Sequence, residues 1–189
     1  MFYTYYRGGI LMLKKLQIRD ILYASMFAAL IAVLGYIIIP LPFSPVPITG
    51  QTLAVMLAGC VLSPLQAGLS VISFIFMGAI GIPVFSGGAA GIGVIFGAKG
   101  GYLLGFLIGA IVISLIRGKT NSIPRMIFAC IIGGIIIVYV LGVPWLSSIT
   151  GMGIHKAITV GALPFIPGDL FKAIVAGFIA KKINAQRRT

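Results

Sequence analysis

The chain has 189 residues, 60% of them hydrophobic and 8% charged, and a mean hydropathy of +1.17. A soluble domain is nearer to about 45–50% apolar and about a quarter charged, and one this small could not hide so much apolar surface. The formal net charge is +12, but the basic residues sit between long apolar runs and form no continuous stripe. A nucleic-acid surface is therefore excluded, and a lipid bilayer is the solvent that suits the composition.

A bilayer core of about 30 Å takes about 20 apolar residues per helix. The first basic residues, Arg7, Lys14, Lys15 and Arg19, precede an apolar run at 21–39 that is too long for a cleaved leader, so a retained first helix is expected. Met12 opens a second plausible start, and a dispensable extension is the expectation for the residues before it. Within the first helix, Ala24, Ala28 and Ala32 recur every four residues, a spacing that lets another helix approach closely.

Residues 40–49 hold four prolines and are expected as a stiff, extended segment. Apolar runs follow at 51–62 and 65–81, separated by Ser63-Pro64, a pair suited to a tight turn that starts a new helix. Residues 81–101 contain eight glycines, which permit sharp turns and close backbone approach. Further spans are expected at 101–116, 124–143 and 162–181, with 144–161 as an outer connection supplying Trp145, His155 and Lys156. No internal repeat is evident.

The expected fold is thus an all-α integral membrane protein, a single membrane domain over 1–189. It comprises a basic segment 1–19, a six-helix core 20–183 and a tail 184–189. Five spans with a re-entrant segment is the alternative count. Orientation follows from the loop charges. Arg7, Lys14, Lys15, Arg19, Arg117, Lys119, Arg125, Lys181, Lys182, Arg187 and Arg188 fall on one side. Only Lys99 and Lys156 fall on the other. Both termini are therefore expected in the cytoplasm, and the proline- and glycine-rich connections outside. Apolar segments interrupted by Gly and Pro often mark the substrate site of a transporter.

Few residues can carry chemistry. The acids are Asp20 and Asp169, the one histidine is His155, and Cys60 and Cys130 lie within apolar runs as small hydrophobes. This supply suits neither a zinc centre nor acid–base hydrolysis. Phe96-Gly-Ala-Lys-Gly-Gly101 lacks the spacing and hydroxyl of a phosphate loop. No cofactor is expected.

Asp169 and Lys172 lie one helical turn apart in the last span, where ionisable groups pair or line a polar pathway. They read either as a structural ion pair or as an acceptor beside a cation for a ligand. Gln51 offers a donor and an acceptor at the mouth of the second helix, and Thr49 or Gln51 alternatively caps it. Lys99 is either a surface lysine or a partner for a carboxylate. Phe43, Phe85, Tyr102, Trp145 and Phe165 fall on the same face, as interface aromatics or pocket lining. The candidate ligand set is Asp169, Lys172, Gln51, Thr49, Gly87, Gly88, Lys99 and Tyr102.

At four stretches the chain resembles the BioY family, the biotin-specific substrate-binding (S) components of energy-coupling factor transporters. The stretches are Pro45-Val-Pro-Ile-Thr-Gly-Gln-Thr-Leu53, Gly78-Ala-Ile-Gly-Ile-Pro-Val-Phe85, Gly97-Ala-Lys-Gly-Gly-Tyr-Leu103 and Leu163-Pro-Phe-Ile-Pro-Gly-Asp-Leu-Phe-Lys172. The resemblance implies a six-helix S component in a bacterial-type cytoplasmic membrane that captures biotin at its outer face. It implies a transmembrane coupling protein and two ATP-binding cassette ATPases as partners, which alone use ATP. The face bearing Ala24, Ala28 and Ala32 is then the surface expected to dock on the coupling protein. Where Ala98-Lys99 stand here, family members often carry Pro-Thr, so no role for Lys99 comes with the resemblance. An S component for another small vitamin and a self-sufficient facilitator are the competing readings.

Overall fold

The computed structural model describes residues 2–7, 10–15 and 17–186, with side chains described from Gln17 to Gln186. The side chains of Arg7, Lys14, Lys15, Arg187 and Arg188, which enter the charge partition, lie outside the described residues.

Strands β1 (Phe2–Arg7) and β2 (Ile10–Lys15) form an antiparallel pair ahead of α1 (Ile18–Leu34). The start of α1 is closed by Asp20, whose Oδ2 accepts from Gln17 N at 3.0 Å. A second small pair, β3 (Ile38–Ile39) with β4 (Ile48–Thr49), brackets the proline-rich segment. Helix α2 (Gln51–Val61) follows, then α3 (Pro64–Ala79), which begins at the expected Ser63-Pro64 turn. There Ser63 N donates to Gln66 Oε1 at 3.1 Å, and Gln66 N donates to Ser63 Oγ at 3.4 Å.

The glycine-rich connection carries a 3-10 turn (Ser86–Gly88) and a short α4 (Ile92–Phe96) before α5 (Gly100–Arg117). From Ile123 to Thr150 the backbone is one 28-residue helical run: α6 (Ile123–Cys130), a π-helical stretch (Ile131–Ile137) and α7 (Val138–Thr150). Helices α8 (Ile154–Gly161) and α9 (Ile166–Gln186) are bent by 50° across their junction.

Among the described residues each apolar run contains a helix, but the run at 21–39 is helical only as far as Leu34, and Ile38–Ile39 are strand. Among the described residues two single helices, α5 and the 123–150 run, are long and apolar enough to cross a membrane, and the bent α8–α9 pair makes up to three. Helix α2 has eleven residues, about 16 Å at 1.5 Å per residue, well short of the bilayer core. Its shortness has a reason in its surroundings. Nine of its residues are buried, because it is wrapped by α1, α3, α5, α6 and α9. A helix that is apolar on every side belongs in the middle of a bundle.

The expected outer connection 144–161 needs correction. Residues 144–150 continue the fifth helix through Pro144, and 154–161 are helical too, leaving only 151–153 between them. Proline lacks the N–H and disturbs a helix interior in water, but packing in a bundle can re-satisfy the backbone.

Polarity is inverted relative to a soluble domain. Asp20, Gln51, Gln66, Ser70, Ser114, Asp169 and Asn184 are buried. Leu22, Met26, Phe76, Phe128, Val140, Phe171 and Phe178 are more than half exposed. Exposed apolar side chains around a core that contains the polar ones are stable only where the solvent is hydrocarbon. The chain is an all-α membrane protein, apart from the two small strand pairs.

The alanine stripe of α1 turns inward, which corrects the docking expectation. Ala24, Ala28 and Ala32 are 3%, 2% and 9% exposed and belong to the face on which α1 meets α2 and α3. Small residues allow close approach, but the neighbour they admit is this chain's own helix. The outward face carries Leu22, Ser25, Met26, Ala29 and Val33. Cys60 and Cys130 are free, buried thiols with sulfurs 3.3 Å apart.

Candidate ligand-binding site

One cavity gathers most of the chemistry-bearing residues. Its walls come from the proline-rich segment (Val46, Pro47, Thr49), the start of α2 (Gln51, Thr52) and the glycine-rich connection (Phe85, Ser86, Val94, Lys99). Helix α5 adds Tyr102, Leu103 and Phe106, α7 adds Val138 and Tyr139, and the α8–α9 region adds Phe165, Asp169 and Lys172. Counted out to the solvent at its mouth, the empty space is about 590 Å³, within the usual range for small-molecule sites.

The most buried polar group in the lining is Asp169, 2% exposed, in the first turn of α9. Its Oδ1 accepts from Thr52 Oγ1 at 2.9 Å and from Lys172 Nζ at 2.8 Å. Its Oδ2 accepts from Tyr139 Oη. The helix dipole favours a carboxylate here, and the adjacent ammonium offsets the cost of burying it. Lys172 Nζ also donates to Thr49 O and to Thr52 Oγ1, each at 2.8 Å. An ammonium has three N–H groups, so all three are occupied within the chain. The carboxylate has about four acceptor positions and receives three donors among the described residues, which leaves one position open.

A second polar group shares no residue with the first. Lys99 Nζ donates to Ser86 Oγ at 2.7 Å. Ser86 is held by a turn in which Gly87 has φ +72° and Gly87 N donates to Gly35 O at 3.0 Å. Burial lowers the pKa of the Lys99 ammonium from its ordinary value.

Of the expected ligand residues, the cavity brings together Asp169, Lys172, Gln51, Thr49, Lys99 and Tyr102. Gln51 is 3% exposed and donates from Nε2 to Val84 O at 3.4 Å. Tyr102 lines the cavity while its Oη donates to Gly161 O at 2.8 Å. Gly87 and Gly88 are not among the lining residues; they form the turn that presents Phe85 and Ser86 to the cavity. Trp145 lies outside the lining and donates to Gly97 O at 2.9 Å, tying α7 to the glycine-rich connection. His155 is exposed and takes no part.

Sequence reasoning missed Thr52 and Tyr139. Tyr139 stands alone as a hydroxyl-bearing residue in an apolar run, and such a group at membrane depth needs a partner. That was the available signal. Thr52 adjoins Gln51 in the motif already singled out.

An all-α membrane protein with a mostly apolar cavity and two separate polar groups belongs to the class that holds a small, polar-ended molecule within a helix bundle. The chain belongs to the BioY family, whose model matches residues 12–189. It is 37% identical over 174 residues to a protein named biotin transporter BioY from Rhizobium etli, covering 87% of this chain and 92% of that one. A protein of the same name from Rhodobacter capsulatus is 41% identical over 181 residues, covering 89% and 95%. Among solved structures, the S-component for biotin from an ECF-type ABC transporter matches with a TM-score of 0.83 at 30% identity, covering 89% of this chain and 92% of that one.

Proposed function

We propose that this chain is the biotin-binding S component of an ATP-driven energy-coupling factor transporter and captures biotin in the cavity at the start of α2 and α9. The observation that carries the reading is the single open acceptor of Asp169, set among mostly apolar walls. Biotin presents ureido N–H donors at one end, an apolar thiophane and valeryl chain in the middle, and a carboxylate at the other. Asp169 accepts from a ureido N–H, with Tyr139 and Thr52 fixing the carboxylate. Lys172 pairs with Asp169 at 2.8 Å and orients it. Phe85, Phe106, Val138 and Phe165 cover the apolar middle.

In this reading the chain crosses the cell membrane six times with both termini in the cytoplasm and the cavity mouth outside. The short α2 is continued across the bilayer by the proline-rich segment. Transport then requires a transmembrane coupling protein and two ATPase subunits. Names of relatives, the matching S-component structure and the basic residues on the inner loops support this.

The test is to purify the chain from cells fed biotin, release small molecules by denaturation and identify them by mass spectrometry. Biotin in near-equimolar amount is expected. Release of a different vitamin, or of none from protein that also fails to bind added biotin, would overturn the assignment.

A further inference from the structure

We propose that Lys99 reads the ligand's anion, so that the ligand lies with its carboxylate on Lys99 and its N–H donors on Asp169. This rests on the biotin reading and adds to it a direction and a charge requirement.

The charge count is the first support. The charged side chains lining the cavity are Lys99, Asp169 and Lys172. Asp169 and Lys172 neutralise each other at 2.8 Å. Lys99 has the neutral Ser86 Oγ as its partner, at 2.7 Å. The lining therefore carries one net positive charge, and a monoanion balances it. In walls this apolar, an unbalanced charge is costly, so the balance favours an acid over its neutral derivatives.

The donor count is independent and agrees. Lys172 has all three N–H groups occupied by Thr49 O, Thr52 Oγ1 and Asp169 Oδ1. Lys99 uses one on Ser86 and keeps two for the cavity. A carboxylate seeking donors finds them at Lys99. The position also costs something without an anion: α5 begins directly after Lys99, at the end of the helix dipole where a cation is least favoured. A bound carboxylate meets the lysine and the helix end with the same sign.

The test uses the purified full chain in detergent micelles, titrated with biotin and with its neutral carboxamide, as the parent, Lys99→Gln and Lys99→Arg. The parent is expected to prefer biotin by about tenfold or more, the usual scale for a charged hydrogen bond. Lys99→Gln should weaken biotin by about tenfold to a hundredfold and leave the carboxamide within about twofold, removing the preference. Lys99→Arg should retain most of it. Equal loss for both ligands in Lys99→Gln, or parental biotin affinity in that variant, overturns the proposal. If Lys99→Gln melts far below the parent without ligand, the parent alone decides, because equal affinity for acid and carboxamide there overturns the proposal as well. A parent that binds neither ligand overturns the biotin reading itself, an outcome distinct from binding without charge preference.

Discussion

Asp20 and Asp169 are the only acids in the chain, both are buried, and both stand in the first turn of a helix. They sit toward opposite ends of α2: Asp169 meets Thr52 near its start, and Asp20 meets Gln66 just beyond its finish. Asp20 has an amide and a backbone N–H among its partners, with Gln66 Nε2 at 2.7 Å and Gln17 N at 3.0 Å. They join the start of α1 to the start of α3, and no Asp20 atom lines the cavity. Around Asp169 the partners are two hydroxyls and an ammonium, and the residue lines the cavity. Burial of an acid in a membrane bundle is therefore no sign of a site by itself. A place in the cavity wall is what separates Asp169, the acid proposed to meet the ligand, from Asp20.

The contrast can be broken most severely at Lys172. Lys172→Ala leaves the buried Asp169 carboxylate without its cation, and losing one member of a buried pair typically costs about 3–5 kcal/mol. A large drop in ligand-free melting temperature together with loss of biotin binding is expected. A variant that melts like the parent and still binds would show that Asp169 does not need its neighbour.

The next effect concerns packing on α1 and sharpens the comparison of buried with exposed faces. Ala28→Trp places an indole between α1 and the helices it covers, which should destabilise the chain by about 1–3 kcal/mol or more. Ala29→Trp, on the outward face, should leave melting and biotin binding unchanged, and impaired assembly with a coupling protein is expected from it. Melting curves and co-purification of the partner read the two apart. Unchanged melting in Ala28→Trp would contradict the inward orientation of the stripe.

The smallest effect is expected at Tyr139. Tyr139→Phe removes one donor to Asp169 and should weaken biotin by about threefold to tenfold with little change in melting, since Thr52 and Lys172 remain. Calorimetric titration measures it. A loss as large as that of Lys172→Ala would make Tyr139, not the lysine, the principal support of the carboxylate.

How much of this could be read from the sequence follows from which interactions are local. Apolar runs, the Ser63-Pro64 turn and the Asp169–Lys172 spacing depend on residues close in the chain, and the helices and the ion pair stand where those signals put them. What the sequence could not disclose was which way a face points. Ala24, Ala28 and Ala32 mark a close helix contact from either side, and only the packed bundle shows that α2 and α3 occupy it. The run through Pro144 was hidden because proline is a stop signal in water, and the bundle overrides it. The π-helical stretch before Tyr139 contains Gly133, where a Cβ would lie 2.6 Å from Gly109 O. That close crossing with α5 is a tertiary fact. Thr52 and Lys172 are 120 positions apart, and no spacing rule joins them.

The most direct test of the account compares its two acids in one assay, with biotin titrated calorimetrically into the purified parent, Asp169→Asn and Asp20→Asn. Asp169→Asn is expected to weaken biotin by about tenfold to a hundredfold, the scale of one charged hydrogen bond, while Asp20→Asn lowers the melting temperature and leaves affinity at the parental value. Parental affinity in a folded Asp169→Asn, or a comparable loss of affinity in a folded Asp20→Asn, would contradict the division between them.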